Sequence, residues 1–531
     1  MPRISGPSLV RNGVDGPQNI RAAQAQVLVR ARALIALALE DGAKPTRYVA
    51  FEKQLTADVF ALGCAVVLLF LLASEARVRA TLTERVVRDD RIFRVSPAQS
   101  RNLLTWFGIV RYSRTYLREV VRGDAKARGF HPLDADLGLL ADRLSPSVLA
   151  IAVRMATRVA FAEARDVCGW FLPVVPSTEV VEAAVLGYGR YTQEWFEQAP
   201  APEGDGEVLV VMLDGKGVPT ATETELKKRR GKRKRRNKTP SPRHRGRQSR
   251  ERLTEQPRRK KGDKSKNAKM GTMLVMFTLR KQPYGSLLLG PINKRYYASF
   301  AQKRHAVEVA RREATKRGFP PGTKRTIQVV TDGDNDLARY VAEFFPDALH
   351  TIDVMHVVEK LWDAGSSVHR EGSPACRAWV EAQKDALYAG DAASIVAELD
   401  RQLERIARTG PGNKYRRKKL GDIREYIAKR LAGMNYRDLM ARDLELGTGP
   451  VEGAIKNLMY KRMDHGGMRW IKERAEALLQ LRCIDANGDW DAFVKFVHDK
   501  TRATAVTSGK RVRLQQRQPN PLPEVASEKA A

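Results

Sequence analysis

The sequence predicts an α/β fold: a mixed sheet covered by helices and interrupted by an all-helical insertion. Three observations carry that reading. Residues 208–217 (VLVVMLDGKG) run apolar into Asp214 and are then broken by Gly215 and Gly217, the pattern of a buried central strand with a carboxylate at its end. Residues 327–336 (IQVVTDGDND) repeat the pattern and deliver Asp332. Around these two segments, runs of strand length come first and then alternate with helical periods.

Residues 1–20 carry Gly, Pro and Asn and form a loose arm, and 20–90 are Ala/Leu/Arg-rich and helical in character, giving a helical N-terminal region over 1–100. Within it, 59–73 (VFALGCAVVLLFLLA) is apolar. As a helix this run is roughly 22 Å long, short of the roughly 20 residues that span a bilayer. Asp58, Glu75 and Arg77 flank it closely, so a packing or dimerisation helix is preferred to a membrane segment. Residues 103–121 mix aromatic and β-branched side chains in rough alternation and read as two short strands, and 130–140 (FHPLDADLGLL) is a turn-rich bridge. Helices follow at 146–158 with Ser145 as cap, at 161–171, and at 177–187, where Ser-Thr and an early Glu179 make a good N-terminus. The trio resembles a helix-turn-helix; an ordinary three-helix packing unit is the other reading, because the third helix is acidic and apolar. Residues 101–200 thus form a small strand-containing module with these helices, and the whole N-terminal part is a candidate DNA-binding region.

From 205 onward the order is three strands (208–213, 273–279, 285–290), a helix (297–316), a strand ending at Asp332, a helix (335–345), a strand (349–352) and a helix (354–364) entered through Asp353. That is the order of the ribonuclease-H-like fold. Residues 376–440 are charged and helical and interrupt it as an α insertion; helices at 451–463 and 470–484 then close the domain. The catalytic core accordingly comprises 205–375 and 441–500, and the polar, Pro-rich 501–531 is expected to be a disordered tail.

A net charge of +33 and a pI near 10.2 point to a polyanionic partner, most simply nucleic acid. The charge is concentrated: 227–269 hold 22 Lys or Arg against 3 acids, inside a disordered insert spanning 226–269. Lys228, Arg229, Arg230, Lys232, Arg233, Lys234, Arg235 and Arg236 are its densest phosphate-gripping candidates. Cys64, Cys168, Cys376 and Cys483 are far apart and form no CxxC pair, which argues against a zinc ribbon or disulfide framework and fits a reducing cytosol. The N-terminus has no signal-peptide core, and no membrane partner is expected.

Asp214 and Asp332 on strand ends, with Glu452 in the first turn of the helix at 449–463 (GPVEGAIKNLMYKRM), are the carboxylates a two-metal phosphodiester-cutting site requires. In such a site two divalent ions about 4 Å apart clamp both sides of a phosphate, and hard oxygen ligands suit Mg²⁺, with Mn²⁺ as a substitute. Each residue also has a plainer reading. Asp214-Gly215 makes an ordinary turn, Asp334 and Asp336 compete with Asp332, and Glu452 behind Gly449-Pro450 stabilises a helix start, with Lys456 as its i,i+4 partner. His356, three residues after Asp353, is site-proximal if its helix starts beside the Asp332 strand and a locally packed histidine otherwise; a metal role for it is not favoured. Lys456, Arg462 and Arg469 are further DNA-binding candidates beside the catalytic helix, although the glycines at 466 and 467 equally suit a helix C-cap.

GPVEGAIKNLMYKRMDHGGMRW, followed by EALLQLRCIDANGDWDAF, closely resembles the C-terminal signature of bacterial insertion-sequence DDE transposases of the ISKra type, in which Gly-x-x-Glu-Gly-x-x-Lys precedes Arg-Met and Gly-Met-Arg-Trp. TDGDND resembles that family's second-Asp motif, IDVMHVVEKLW its Asp-Phe-Tyr-His-x-x-Glu-x-Leu segment, LDGKG its first-Asp strand, and RGFHPLDADLGLLADRLSP its pre-catalytic region. The resemblance implies that Asp214, Asp332 and Glu452 are the DDE triad, that the ribonuclease-H-like core carries an α insertion, and that the protein excises and inserts an element by recognising its terminal repeats. It further implies a bacterial cytoplasmic, nucleoid-associated protein working as a dimer or larger assembly on double-stranded DNA. There are departures: 118–128 lack the cysteine pairs the family often carries there, the 227–269 insert is unusual, and Thr448-Gly449-Pro450 replaces a Ser-Gly entry. None removes a carboxylate. The expectation is therefore a metal-dependent transposase that cleaves and joins DNA ends. The alternatives are a catalytically inactive, domesticated DNA-binding protein and a structure-specific nuclease.

Overall fold

The computed structural model describes residues 19–40, 48–121, 127–226, 268–283, 287–464 and 468–524. The basic run at 228–236 and the glycines at 466 and 467 lie outside the described residues. The chain forms two compact units: Met1–Glu197 with Gly488–Asn520, and Gln198–Asn487 with Pro521–Ala531.

The first unit begins with two packed helices, α1 (Ile20–Glu40) and α2 (Tyr48–Thr81), followed by β1 (Arg85–Arg88), β2 (Arg91–Thr105), β3 (Gly108–Glu119) and β4 (Gly129–Phe130) in one antiparallel sheet. The region 1–100 is therefore not wholly helical, and the strands are long and start earlier than expected. RVVR-DD-RIFR is a hairpin whose central residues, Asp89 and Asp90, both take positive φ (50° and 57°), the twist that matches two antiparallel strands. The apolar run at 59–73 is the middle of the 34-residue α2, so the length argument against membrane crossing fails; α1 and α2 are both long and apolar enough to cross a membrane by length and composition alone. Leu68, Leu71 and Leu72 of α2 instead bury against Leu103, Val110 and Tyr112 of the sheet.

The bridge at 130–140 holds a short helix, α3 (Pro132–Asp136), whose buried Asp134 accepts hydrogen bonds from Arg101 (2.9 Å), Arg114 (2.8 Å) and Tyr112 (3.0 Å). Helices α4 (Pro146–Arg158), α5 (Phe161–Cys168), α6 (Thr178–Gly189) and α7 (Thr192–Gln198) follow, with Ser145 and Ser177 capping α4 and α6 as their sequences predict. A recognition role for α6 meets an obstacle: Val181 and residues 184–188 are all buried, and Gly187 lies directly against the Leu514 backbone. The three-helix packing reading fits this burial better.

The C-terminal boundary also moves. Residues 490–508 form a helix of this unit rather than the end of the second, because Phe493 packs against Tyr188 and Trp195. The tail beyond 501 is ordered as far as it is described: Leu514 is buried and its N–H donates to Asp142 (2.8 Å).

The second unit is a mixed α/β domain. Its five-stranded sheet comprises β5 (Val208–Pro219), β6 (Ala268–Lys281), β7 (Leu288–Ser299), β8 (Thr326–Thr331) and β9 (Leu349–Ile352), in the spatial order β7-β6-β5-β8-β9. The first three are antiparallel neighbours; β8 runs parallel to β5, and β9 parallel to β8. Residues 291–299, expected to lie partly in a helix, extend β7 instead, and the helix α8 (Lys303–Lys316) starts later. Its apolar positions face the sheet while Lys and Arg face out. Helix α9 (Asn335–Phe344) joins β8 to β9, and α10 (Val354–Val368) leaves β9. The segment 376–440 is helical, as α11 (Pro374–Tyr388), α12 (Ala392–Arg405), α13 (Asn413–Ala428) and α14 (Tyr436–Ala441). The chain then returns through α15 (Gly449–Ala454), a π-helical stretch (Ile455–Tyr460) and a last turn, and ends the unit with α16 (Lys472–Ala486).

Candidate active site

Three parallel strands lie side by side as β5, β8 and β9, and on each an aspartate follows the last parallel rung at the same level. The last rungs pair Leu213 with Thr331 and Thr331 with Ile352. Asp214, Asp332 and Asp353 are the next residues along, on strands roughly 4.8 Å apart. Asp353 keeps that level because its N–H donates to the Thr331 carbonyl (2.8 Å). Strand β5 does not stop at Asp214 as its glycines suggested. It continues to Pro219 against β6 alone, with Asp214 opposite Met273, so the carboxylate sits where the central strand outruns its parallel neighbour. Main-chain N–H of Gly215 donates back to Asp214 Oδ1 (2.5 Å).

Glu452 reaches the same edge from the first turn of α15, which packs on β5 and β6. One oxygen each of Asp353 and Glu452 and one ring nitrogen of His356 lie within 4.8 Å of one another. Burial pushes the Asp214 carboxyl up to about 6, and the nearby charges of Asp332 and Glu452 push in the same direction, while the Gly215 N–H and His356 oppose them. These residues therefore feel one another's charge: Asp214, Asp332, Glu452 and His356 form a single cluster.

The Asp332 loop is held from several sides. Asp334 N–H donates to Asp332 Oδ1 (2.9 Å). Asp334 itself caps α9, accepting from Asp336 N and Leu337 N, and pairs with Lys303 (2.6 Å), while Asp336 is exposed on the helix. That accounts for both competing aspartates of TDGDND. From the α insertion, Tyr426 Oη donates to the Asp332 carbonyl (2.8 Å), and Arg430 donates through Nε to the Gly333 carbonyl (2.7 Å) and through its terminal nitrogen to Asn335 (2.5 Å). Tyr426 and Arg430 also stack on each other (4.1 Å).

Asp353 and His356 are coupled differently. Asp353 is fully buried as the N-cap of α10 and accepts from Met355 N (2.8 Å), His356 Nδ1 (3.0 Å), Thr448 N (3.3 Å) and the Thr448 hydroxyl. Burial alone would raise its carboxyl, but the hydrogen bonds from His356, Thr448 and Met355 outweigh it and hold the group below its ordinary value. The hydrogen bond to Asp353 raises His356 to about 9; burial opposes this, and the charges of Asp353, Asp332 and Asp214 add to it. These contacts favour the protonated ring, with Nδ1 donating to Asp353. A divalent cation beside it would repel that proton.

The DNA-contact candidates separate. Lys456 is exposed one turn beyond Glu452, on the π-helical stretch, and Arg469 is half-buried. Arg462 is corrected: it is buried, stacks over Trp470 (5.0 Å) and touches Met468 Sδ (3.6 Å), so it packs the helix end rather than facing a phosphate. Sequence reasoning did not single out Asp353, Thr448, Tyr426 or Arg430. Asp353 had a readable signal, an aspartate directly after the third parallel strand; the others depend on which helix packs where.

The carboxylates of Asp214, Asp332 and Asp353 at the strand ends and of Glu452 on the helix are hard oxygen donors suited to Mg²⁺ or Mn²⁺, with the His356 ring beside them. Crowding of like charges around the partly buried Asp214 is what a bound cation would relieve. Comparison with known proteins returns no matching family model and no matching curated protein.

Proposed function

We propose that the second unit is a ribonuclease-H-like polynucleotidyl transferase and the protein a DDE-type DNA transposase, with Asp214, Asp332 and Glu452 as its catalytic carboxylates. One observation carries this reading: Asp214 and Asp332 follow the last rung of adjacent parallel strands, with the Glu452 helix packed over β5 and its antiparallel neighbour β6. The strand order β7-β6-β5-β8-β9, three antiparallel strands followed by two parallel ones, supports the fold assignment.

Asp214, Asp332 and Glu452 would hold two Mg²⁺ ions, which supply Lewis-acid stabilisation at the scissile phosphate when bound. The chain's own residues set the stage for in-line attack by water and then by the freed 3′-hydroxyl. Tyr426 and Arg430 fix the Asp332 loop, and Asp353 orients the His356 ring beside the carboxylates. Exposed Lys456 and the basic run at 228–236 contribute sequence-independent attraction to DNA. Paired DNA ends would require a dimer or larger assembly.

The test is strand cleavage and joining on DNA carrying the element's terminal repeats, with and without Mg²⁺, comparing wild type with Asp332→Asn. Products that need both metal and Asp332 are expected. A second reading rests on the +33 charge alone: a domesticated DNA-binding protein without catalysis. It predicts tight, salt-sensitive binding indifferent to Mg²⁺ and no product from either protein.

A further inference from the structure

Helix α2 carries an exposed apolar stripe that the described residues of the first unit cover only at Gly63. Its inner face is buried on β3, and Glu75 fixes that face by accepting from the Thr115 N–H (2.7 Å) and hydroxyl (2.5 Å). On the opposite side Val59, Val66 and Phe70 are 44%, 48% and 51% exposed at successive spacings of seven and four residues, one continuous line along the helix. The notch left by Gly63 on this line is filled by the ring of Phe107, whose outer edge remains exposed. An apolar line of this length on an ordered helix marks a docking surface.

The stripe is self-complementary. Exposed Glu52 lies at its N-terminal end and exposed Arg77 at its C-terminal end. An antiparallel copy centred between Cys64 and Ala65 sets Glu52 against Arg77, Thr56 against Ala73, Val59 against Phe70, and the Phe107-filled Gly63 notch against Val66. Each opposition occurs twice by symmetry, which is the signature of an isologous two-fold interface. Helix α1 offers no equivalent. Its exposed Leu28, Ile35 and Leu39 share their line with Arg32 and with no acid, so two copies would oppose like charges.

We propose that α2 pairs antiparallel with α2 of a second copy of this chain, through Val59, Val66 and Phe70 with Glu52–Arg77 pairs at both ends. Lipid is the other occupant for so apolar a helix, but α2 lies along a sheet whose backbone and polar side chains would have to enter the bilayer with it. The pairing does not depend on the catalytic reading.

Sedimentation of the DNA-free, full-length chain tests it. Wild type is expected to sediment as a dimer and Val66→Asp as a monomer, with circular dichroism showing unchanged helix content because Val66 faces solvent. Glu52→Arg and Arg77→Glu should each raise the dissociation constant about tenfold or more, and the double variant should restore it, since the reversed charges again meet. A monomeric wild type, or a double variant no tighter than the single ones, overturns the proposal. So does a monomeric wild type that floats with phosphatidylcholine/phosphatidylglycerol vesicles, an outcome that assigns the stripe to lipid.

Discussion

Replacing Gly333 with alanine should loosen the loop that presents Asp332. Gly333 has φ +81°, a left-handed conformation that costs a residue with a Cβ roughly 1–2 kcal/mol. A Cβ built there falls 2.6 Å from Tyr426 Oη and 2.9 Å from Arg430 Nε, closer than real contacts allow. Both side chains must retreat, and each gives up a hydrogen bond to this loop, at 2.8 Å and 2.7 Å. At about 1 kcal/mol net per bond, the expected loss is about 3–4 kcal/mol. Hydrogen exchange across 331–337 reads it locally, which matters because two units need not unfold as one. Exchange there should rise by two orders of magnitude or more, while β5 and β6 stay protected. Tyr426→Phe removes one hydroxyl and should show only about 1 kcal/mol; combining it with Gly333→Ala should cost less than the sum, since the closest clash is gone. Unchanged exchange in Gly333→Ala would refute the idea that the α insertion holds Asp332.

The Arg317–Asp205 pair is bidentate (2.9 and 2.6 Å) with Arg317 fully buried, so Arg317→Ala should cost the second unit about 3–5 kcal/mol in chemical denaturation. Replacing both partners by apolar residues should cost less. Burial holds His131 in the first unit and His305 in the second down to about 4, from an ordinary 6.5. The unfolded chain thus takes up these protons before the folded chain does. Both units should keep this stability above pH 6.5 and lose it as the pH falls toward 4; His305→Gln should flatten the loss in the second unit only. Replacing the eight Lys and Arg of 228–236 by Gln should flatten the dependence of log affinity for duplex DNA on log salt by up to about 7 units. An unchanged slope would place DNA elsewhere.

Much of the second unit was legible because each local signal agreed with the fold. Strand β8 (TIQVVT) and the short β9 are apolar runs closed by an aspartate, α9 is capped by Asp334 and α10 by Asp353, and the insertion has clean helical periods. Each carboxylate closes or opens such a segment, which is why Asp214, Asp332 and Glu452 could be grouped from 118 and 120 residues apart. Errors fell where neighbours override local preference. Gly215 and Gly217 should end β5, but pairing with β6 carries the strand to Pro219, and the tyrosines of β7 read as helix until β6 supplies their ladder.

The sequence by itself determined the candidate carboxylates Asp214, Asp332 and Glu452, the strand-and-helix order that could bring them together, and a net charge of +33, because these follow from residue type, period and count. Only the tertiary structure decided which partners each group meets. Asp353 is a buried cap tied to His356 and Thr448, Asp334 is spent on a helix start, Arg462 is sealed under Trp470, and α2 lies on a sheet with its far face open. Those outcomes depend on contacts between segments far apart in the chain, and no local period encodes them.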